Sequence, residues 1–119
     1  MIETLAERVN GNAWLTHRGR FVNTTFLLGI GPEAWLVRIA EGHVAEVRKG
    51  PFVMPRWTFA LRAPREAWEA FWSPEPPPGS HDLLALVKTR RLAIEGDMHP
   101  FMANLFYFKF VLASLRRAA

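Results

Sequence analysis

The stretch that decides the fold is AWLVRIAEGHVAEVRKG, residues 34–50. In its first half every second residue is apolar, and these residues share one face: Trp35, Val37 and Ile39. A period of two indicates a strand that is buried on one side only. Glu41-Gly42 forms a tight turn, and the alternation then resumes over residues 43–49. The stretch therefore predicts a β-hairpin with one apolar face and one charged face.

Three further segments extend this pattern to a sheet of five strands. Residues 21–29 and 56–62 alternate in the same way, and Leu92 and Ile94 mark a short last strand. A sheet with one apolar face has to cover that face with helices. Apolar residues at helical spacing predict helices over residues 2–10, 64–72, 80–87 and 98–115. The predicted fold class is α+β, with a single, mostly antiparallel sheet covered on one face by helices.

Composition limits the classes to which this protein can belong. Its 119 residues suit one domain, which we expect to span residues 1–119, and the absence of cysteine excludes disulfides and thiolate catalysis. The net charge of +4 is spread along the chain and forms no basic stripe for nucleic acid. The first residues lack the features of a signal peptide, and the longest apolar stretch is shorter than the roughly 20 residues of a membrane span. We therefore expect a soluble, cytoplasmic protein.

The residue types that most often carry chemistry form no recognisable site. The four histidines have no metal-ligand spacing, and no serine has the context of a nucleophile elbow. Gly29 and Gly31 lie in a predicted hairpin and do not open a helix, so they are not a phosphate-binding loop. The alternation over residues 56–62 puts arginines and aromatics on opposite faces, which disfavours binding of single-stranded nucleic acid. We therefore predict no catalytic residue, no metal site, no cofactor and no nucleic-acid partner.

The last predicted helix is apolar on nearly its whole circumference. Between Phe101 and Leu115 the strongly polar residues are Asn104, Lys109 and Ser114. A helix of this kind has to be buried on all sides, and the sheet covers only one. Four explanations stay open: core packing between sheet and helices, one wall of an internal cavity for an apolar ligand, a dimer face, or docking on a membrane surface.

Three segments resemble a known family. AWLVRIAEGHVAEVRKG, residues 34–50, is similar to the family's tryptophan-bearing strand, glycine hairpin and return strand. FALRAPREAWEAFW, residues 59–72, is similar to a strand that runs into a short helix. RRLAIEGDMHPFMANLFYF, residues 90–108, resembles a strand of the pattern Gly/Arg-Leu-x-Ile-x-Gly-Asp and the tunnel helix after it. In this order and spacing, the chain resembles a stand-alone, bacterial-type domain of the sterol carrier protein 2 family.

The resemblance implies a five-stranded sheet covered by helices, with an apolar tunnel between the two layers. It also implies a non-catalytic carrier of fatty acids, acyl-CoA, sterols or similar lipids, with at most transient membrane contact. We expect the ligand to contact the apolar sheet face and two helical walls: Phe26, Trp35, Trp57, Phe59, Trp68, Phe71, Trp72, Leu84, Met98, Phe101, Met102, Leu105 and Phe106. Two alternatives stay open: a module of the same fold that forms a homodimer without a ligand, and a small enzyme that uses the same pocket.

Overall fold

The predicted hairpin and its neighbours form one five-stranded sheet. The structure, a computed structural model, describes residues 2–53, 55–80 and 82–116. Its strands are β1 (Asn23–Ile30), β2 (Glu33–Ala40), β3 (His43–Lys49), β4 (Phe59–Ala63) and β5 (Ala93–Gly96). They lie side by side in the order β3-β2-β1-β4-β5. Three of the four neighbouring pairs are antiparallel, and β1 pairs with β4 in parallel. The predicted mostly antiparallel sheet is therefore confirmed.

Short helices pack on one face of this sheet. After a 3-10 turn at Ile2–Thr4 they are α1 (Leu5–Asn10), α2 (Ala13–Arg18), α3 (Arg65–Phe71), α4 (Leu83–Lys88), α5 (His99–Ala103) and α6 (Leu105–Ala113). Alternate residues of β1, among them Phe26 and Leu28, are buried in one core with Trp68 of α3 and Phe108 of α6. Successive strand residues point to opposite faces, so one face of β1 supplies the floor of this core. The α+β class predicted from the sequence is confirmed.

The connection from β3 to β4 crosses the other face of the sheet. Since β3 lies at one edge and β4 lies beyond β1, residues 50–53 and 55–58 have to pass over the strands between them. We call these residues the crossing segment. It approaches Leu27 of β1, which is only 3% exposed and lines a cavity together with Pro51 and Phe52. The crossing segment therefore covers apolar residues on the face that the helices leave open.

The structure corrects three details of the predicted elements. The strand predicted over residues 56–62 begins only at Phe59, because the residues before it belong to the crossing segment. The last helix is not continuous: it breaks at Asn104, which has φ −123° and ψ 35°. The Asn104 side chain donates to the oxygen of Pro100 over 3.0 Å, and such a side-chain bond competes with helical bonding. A single rod over residues 98–115 was therefore a wrong prediction.

The helix predicted to begin at Ser80 also starts elsewhere. Its N-cap is Asp82, whose Oδ1 accepts a hydrogen bond from the Leu84 N–H over 3.2 Å. Ser80 is fully buried, and its hydroxyl accepts a hydrogen bond from Arg91 over 2.9 Å. This hydrogen bond holds Ser80 inside the loop before the helix. Ser80 therefore stabilises the loop and does not cap the helix.

Across residues 2–53, 55–80 and 82–116, no helix is both long enough and apolar enough to cross a bilayer.

Candidate functional site

Four phenylalanine rings fill the space between the sheet and the last two helices. Phe26 of β1 and Phe59 of β4 lie stacked, with ring centroids 5.3 Å apart and ring planes 2° apart. Phe108 of α6 meets both rings edge-on, at 5.7 and 5.2 Å. Phe101 of α5 completes the cluster, 5.5 Å from Phe59 and 5.8 Å from Phe108. All four side chains are fully buried, so the centre of the layer between sheet and helices is aromatic.

Trp68 of α3 and Trp72, the C-cap residue that ends this helix, connect the layers on one side of this cluster. Their indoles stack with centroids 5.4 Å apart. The Trp68 N–H donates to the main-chain oxygen of Gly29 in β1 over 2.8 Å. The Trp72 N–H donates to the main-chain oxygen of Leu112 in α6 over 2.9 Å. Phe71 packs edge-on against Trp68 at 6.1 Å. A buried indole with a satisfied N–H is held in one orientation, so these residues form a rigid wall.

The residues between Gly96 and Asn104 form a separate short segment, residues 97–103, which we call the flap. Gly96 has φ +84°, a conformation that favours glycine, and Asn104 ends the helical part of the flap. Phe101 is the one buried residue of the flap. Met98 and Met102 are 43% and 47% exposed. A single aromatic side chain therefore anchors the flap in the core.

Polar contacts secure the flap at its ends. The Asp97 N–H donates to the oxygen of Thr58 over 2.9 Å, and the Asp97 carboxylate accepts from the His99 N–H over 3.1 Å. At the other end, Asn104 bonds to Pro100 as described above. These contacts hold the two ends of the flap, and the Phe101 ring is buried between them.

The helix-covered face of β1 also carries an unpartnered hydroxyl group, that of Thr24. Thr24 precedes Phe26 by two residues and therefore shares its face of β1. Its Oγ1 is buried without a hydrogen-bond partner among the described residues. Trp57 precedes Phe59 by two residues, and its ring lies 2.9 Å from the position that a Cβ on Gly96 would take. Sequence reasoning missed Thr24, although a hydroxyl on the apolar face of an alternating strand was a visible signal.

Three predicted site residues lie together on the surface beside the flap. Met102, Leu105 and Phe106 line a groove of about 470 Å³ together with Arg18. The Arg18 guanidinium lies over the rings of Trp14 and Phe106, at 5.5 and 5.6 Å. Phe106 is 57% exposed, so this groove is an apolar surface with a cation at its side.

Two predicted residues lie apart from the others. Trp35 of β2 is 7% exposed and lines a small cavity of about 180 Å³ with Ile30 and Trp72. This places it at the opposite end of β1 from Thr24, and its buried N–H has no partner among the described residues. Leu84 is 39% exposed on α4. Trp57 lies beside Gly96, and the remaining predicted residues divide between the buried aromatic cluster, the tryptophan wall and the flap with its groove.

The buried hydroxyl of Tyr107 has a structural role. Tyr107 is buried, and its hydroxyl donates to the main-chain oxygen of Gly42 over 2.7 Å. Burial raises the pKa of Tyr107 above its ordinary value of 10.0, because removal from water disfavours the charged phenolate. Among residues 2–53, 55–80 and 82–116, no group of three histidine, cysteine, aspartate or glutamate side chains is placed to hold a metal ion.

Comparison with solved structures identifies the fold. A crystal structure of sterol carrier protein 2 superposes with a TM-score of 0.78 at 11% sequence identity, covering 98% of this chain and 94% of that chain. The apo form of sterol carrier protein 2 from Yarrowia lipolytica gives 0.62 at 11% identity, covering 97% and 88%. The palmitated sterol carrier protein 2 like 2 from Aedes aegypti gives 0.61 at 20% identity, covering 90% and 87%. No protein-family model matches the sequence, and neither does any curated protein. The chain has the sterol carrier protein 2 fold.

Proposed function

We propose that this chain, whose fold is that of sterol carrier protein 2, is a non-catalytic binding or carrier protein for an apolar ligand. The ligand is a fatty acid, an acyl-CoA, a sterol or a similar lipid, held in a tunnel between sheet and helices of one domain spanning residues 1–119. The observation that supports the proposal is the aromatic interior into which the flap places one buried side chain, that of Phe101. The palmitated relative supports the ligand class.

In this proposal the ligand takes the space that the buried Phe101 ring fills. A bound lipid tail is larger than one ring, so in this proposal it displaces the whole flap together with Phe101. The tail then lies against Phe59 and Phe108, the two rings that Phe101 now contacts. Moving one phenylalanine side chain out of the core costs about 1.5–3 kcal/mol. Burial of a tail of roughly 16 carbons contributes about 12 kcal/mol before the association cost of several kcal/mol. The free energy gained by burying the lipid tail therefore exceeds the cost of moving Phe101 out of the core.

The flap and the adjoining groove form the entrance in this proposal. Met98 and Met102 are half exposed on the flap, and methionine side chains adapt readily to ligands of different shape. Leu105 and Phe106 continue the apolar surface outside. Inside, the Thr24 hydroxyl offers one hydrogen bond to a polar group of the ligand. An apolar pocket with a single polar contact discriminates weakly between chain lengths.

Titration of the isotope-labelled protein with palmitate, followed by NMR, tests the proposal. We expect the amide signals of residues 97–108 to shift and ligand methylene protons to show contacts with the Phe26 and Phe59 rings. Phe101→Ala removes the occupant of the site and should bind palmitate several-fold more tightly. Phe101→Leu keeps most of the apolar volume and replaces Phe101→Ala in the test if the alanine variant does not fold. The matched control is Phe21→Ala, because Phe21 is 83% exposed.

Two results would contradict the carrier proposal. One is the absence of saturable palmitate binding by folded wild-type protein and by folded Phe101→Leu. The other is a set of shifts confined to the exposed groove, with no contact to the Phe26 or Phe59 rings.

A second candidate function is supported by the apolar surface beside the flap. Trp14, Phe106 and Phe110 are 55%, 57% and 40% exposed, and the Trp14 and Phe110 rings lie edge-on at 5.3 Å. Clustered exposed aromatics are typical of an interaction surface, which is what a homodimerising module needs. Native mass spectrometry separates the two candidates, because a dimer without adduct supports the module and a monomer with lipid supports the carrier. The small-enzyme alternative has no comparable observation in its favour.

A further inference from the structure

A cavity of about 450 Å³ lies on the face of the sheet that the helices do not cover. We call it the outer cavity. The crossing segment forms its apolar wall and the strands form its floor; the lining residues are Thr25, Leu36, Arg38, Glu46, Arg48, Pro51, Phe52, Val53, Pro55 and Arg56. Its volume falls within the range of about 300–1,000 Å³ that small-molecule sites occupy. The sheet separates it from the aromatic interior, so it is independent of the lipid site proposed above.

Positively charged side chains outnumber negatively charged ones around the outer cavity. Three arginines face one glutamate, and Arg48 lies 3.4 Å from the Glu46 carboxylate. The Arg48 guanidinium also lies over the Phe52 ring at 5.7 Å. Within the described part of the chain, Arg38 and Arg56 make no hydrogen bond and no ion pair. Glu46 is also the cross-strand partner of Arg38, so one carboxylate is shared between Arg38 and Arg48. The lining of the cavity therefore keeps an excess of two positive charges.

The neighbouring cavity provides a comparison on the same face. It has about 460 Å³ and shares Pro51, Phe52 and Pro55 with the outer cavity. Its two cations are both paired: Lys49 lies 3.1 Å from Glu33, and Arg62 lies 3.0 Å from Glu95. Cations without an ion-pair partner are therefore not found in every cavity on this face of the sheet. They distinguish the outer cavity from a cavity of equal size beside it.

We propose that the outer cavity binds a small amphipathic anion, which has an aromatic or other apolar body and one carboxylate or phosphate group. The body lies on Leu36 and against Phe52, where the cavity is apolar. The anionic group pairs with Arg38 and Arg56, whose planar guanidinium groups match carboxylate and phosphate oxygens two at a time. Arg48, which is already paired with Glu46, orders the Phe52 wall.

The test uses 1-naphthyl phosphate and 1-naphthoate as probes in calorimetric titrations of the full chain. We expect saturable binding of one or both probes. The probe that binds more tightly shows whether the cavity prefers a phosphate or a carboxylate. Arg38→Gln and Arg56→Gln should each weaken binding roughly tenfold, as loss of one charge-assisted hydrogen bond does, and the double variant should weaken it further. The matched control is Arg62→Gln in the neighbouring cavity, which should change binding less than twofold.

Further measurements separate this proposal from its rivals and from the lipid site. Inorganic phosphate that binds as tightly as 1-naphthyl phosphate would overturn the amphipathic ligand, since the apolar wall would then contribute nothing. Equal binding by wild type and the double variant would overturn the site itself. Palmitate binding should be the same in the double variant and in wild type. If the double variant loses probe binding and keeps palmitate binding, the loss reports on the outer cavity and not on the lipid site.

Discussion

The indole N–H of Trp72 donates to the main-chain oxygen of Leu112 over 2.9 Å, and this bond ties α3 to α6 across the buried layer. Trp68, one turn earlier, ties α3 to β1 through Gly29. These two tryptophans are therefore hydrogen-bonded connections, one from α3 to the sheet and one from α3 to α6.

Trp72→Phe should lower the free energy of unfolding by about 2 kcal/mol, because it removes a buried hydrogen bond and leaves a small void. Trp14→Phe is the matched control: Trp14 is 55% exposed, and its replacement should cost about 0.5 kcal/mol or less. Urea unfolding of the three proteins measures both values. Equal stabilities of wild type and Trp72→Phe would show that the hydrogen bond to Leu112 contributes nothing.

Gly96→Ala should strain the backbone at the N-terminal end of the flap. A Cβ at this position would lie 2.6 Å from the Thr58 oxygen and 2.9 Å from the Trp57 ring. Gly79 has nearly the same φ, +83°, but its nearest neighbours would be 3.4 and 3.9 Å away. Gly79→Ala should therefore cost only the backbone penalty of about 1 kcal/mol, and Gly96→Ala should cost about 3 kcal/mol or more.

Thermal and urea unfolding of the two glycine variants compare these costs directly. If both variants lose the same stability, the close approach of Gly96 to Thr58 and Trp57 has no energetic effect. If the carrier proposal holds, Gly96→Ala should also change palmitate uptake, while Gly79→Ala should not.

Thr24→Val should raise the stability of the ligand-free protein by about 1 kcal/mol, because it replaces a buried hydroxyl that has no partner with a methyl group of similar size. The same substitution should weaken palmitate binding roughly tenfold if the hydroxyl contacts the polar end of the ligand. The control is Thr25→Val, whose side chain points to the outer face. A Thr24→Val protein that binds palmitate as wild type does would remove Thr24 from the proposed site.

Stability should fall at alkaline pH through Tyr107. Burial raises its pKa in the folded state above the value of 10.0 in the unfolded chain, so the folded state holds the phenol proton more tightly. The contribution is complete below pH 10 and is lost above it, by about 1.4 kcal/mol per pH unit until the folded pKa is reached. Tyr107 is the one tyrosine of the chain, so the ultraviolet absorbance of phenolate reports on it alone.

Alkaline unfolding followed by this absorbance and by circular dichroism checks the prediction. Ionisation and unfolding should coincide. Ionisation at pH 10 in a protein that stays folded would contradict the burial of the phenol. Tyr107→Phe should remove this part of the pH dependence while losing the hydrogen bond to Gly42.

The fold was predictable because its signals are local. Alternation between Ala34 and Lys49 places a hairpin at the correct residues, since a half-buried strand requires a period of two. The helical stripe that includes Trp68 and Phe71 likewise marks a buried helix. Even the sheet with helices on one face follows from the need to cover one apolar surface.

Only the tertiary structure decided the parts that depend on contacts between distant residues. The parallel pairing of β1 with β4 stacks Phe26 on Phe59, and no local pattern specifies which strand lies beside which. The break at Asn104 and the single anchor of the flap depend on the fit of Phe101 among rings from other elements. The unpaired arginines of the outer cavity meet because the crossing segment passes over the sheet. Periodicity determined which faces are buried, whereas the packing of remote side chains determined what occupies the space between them.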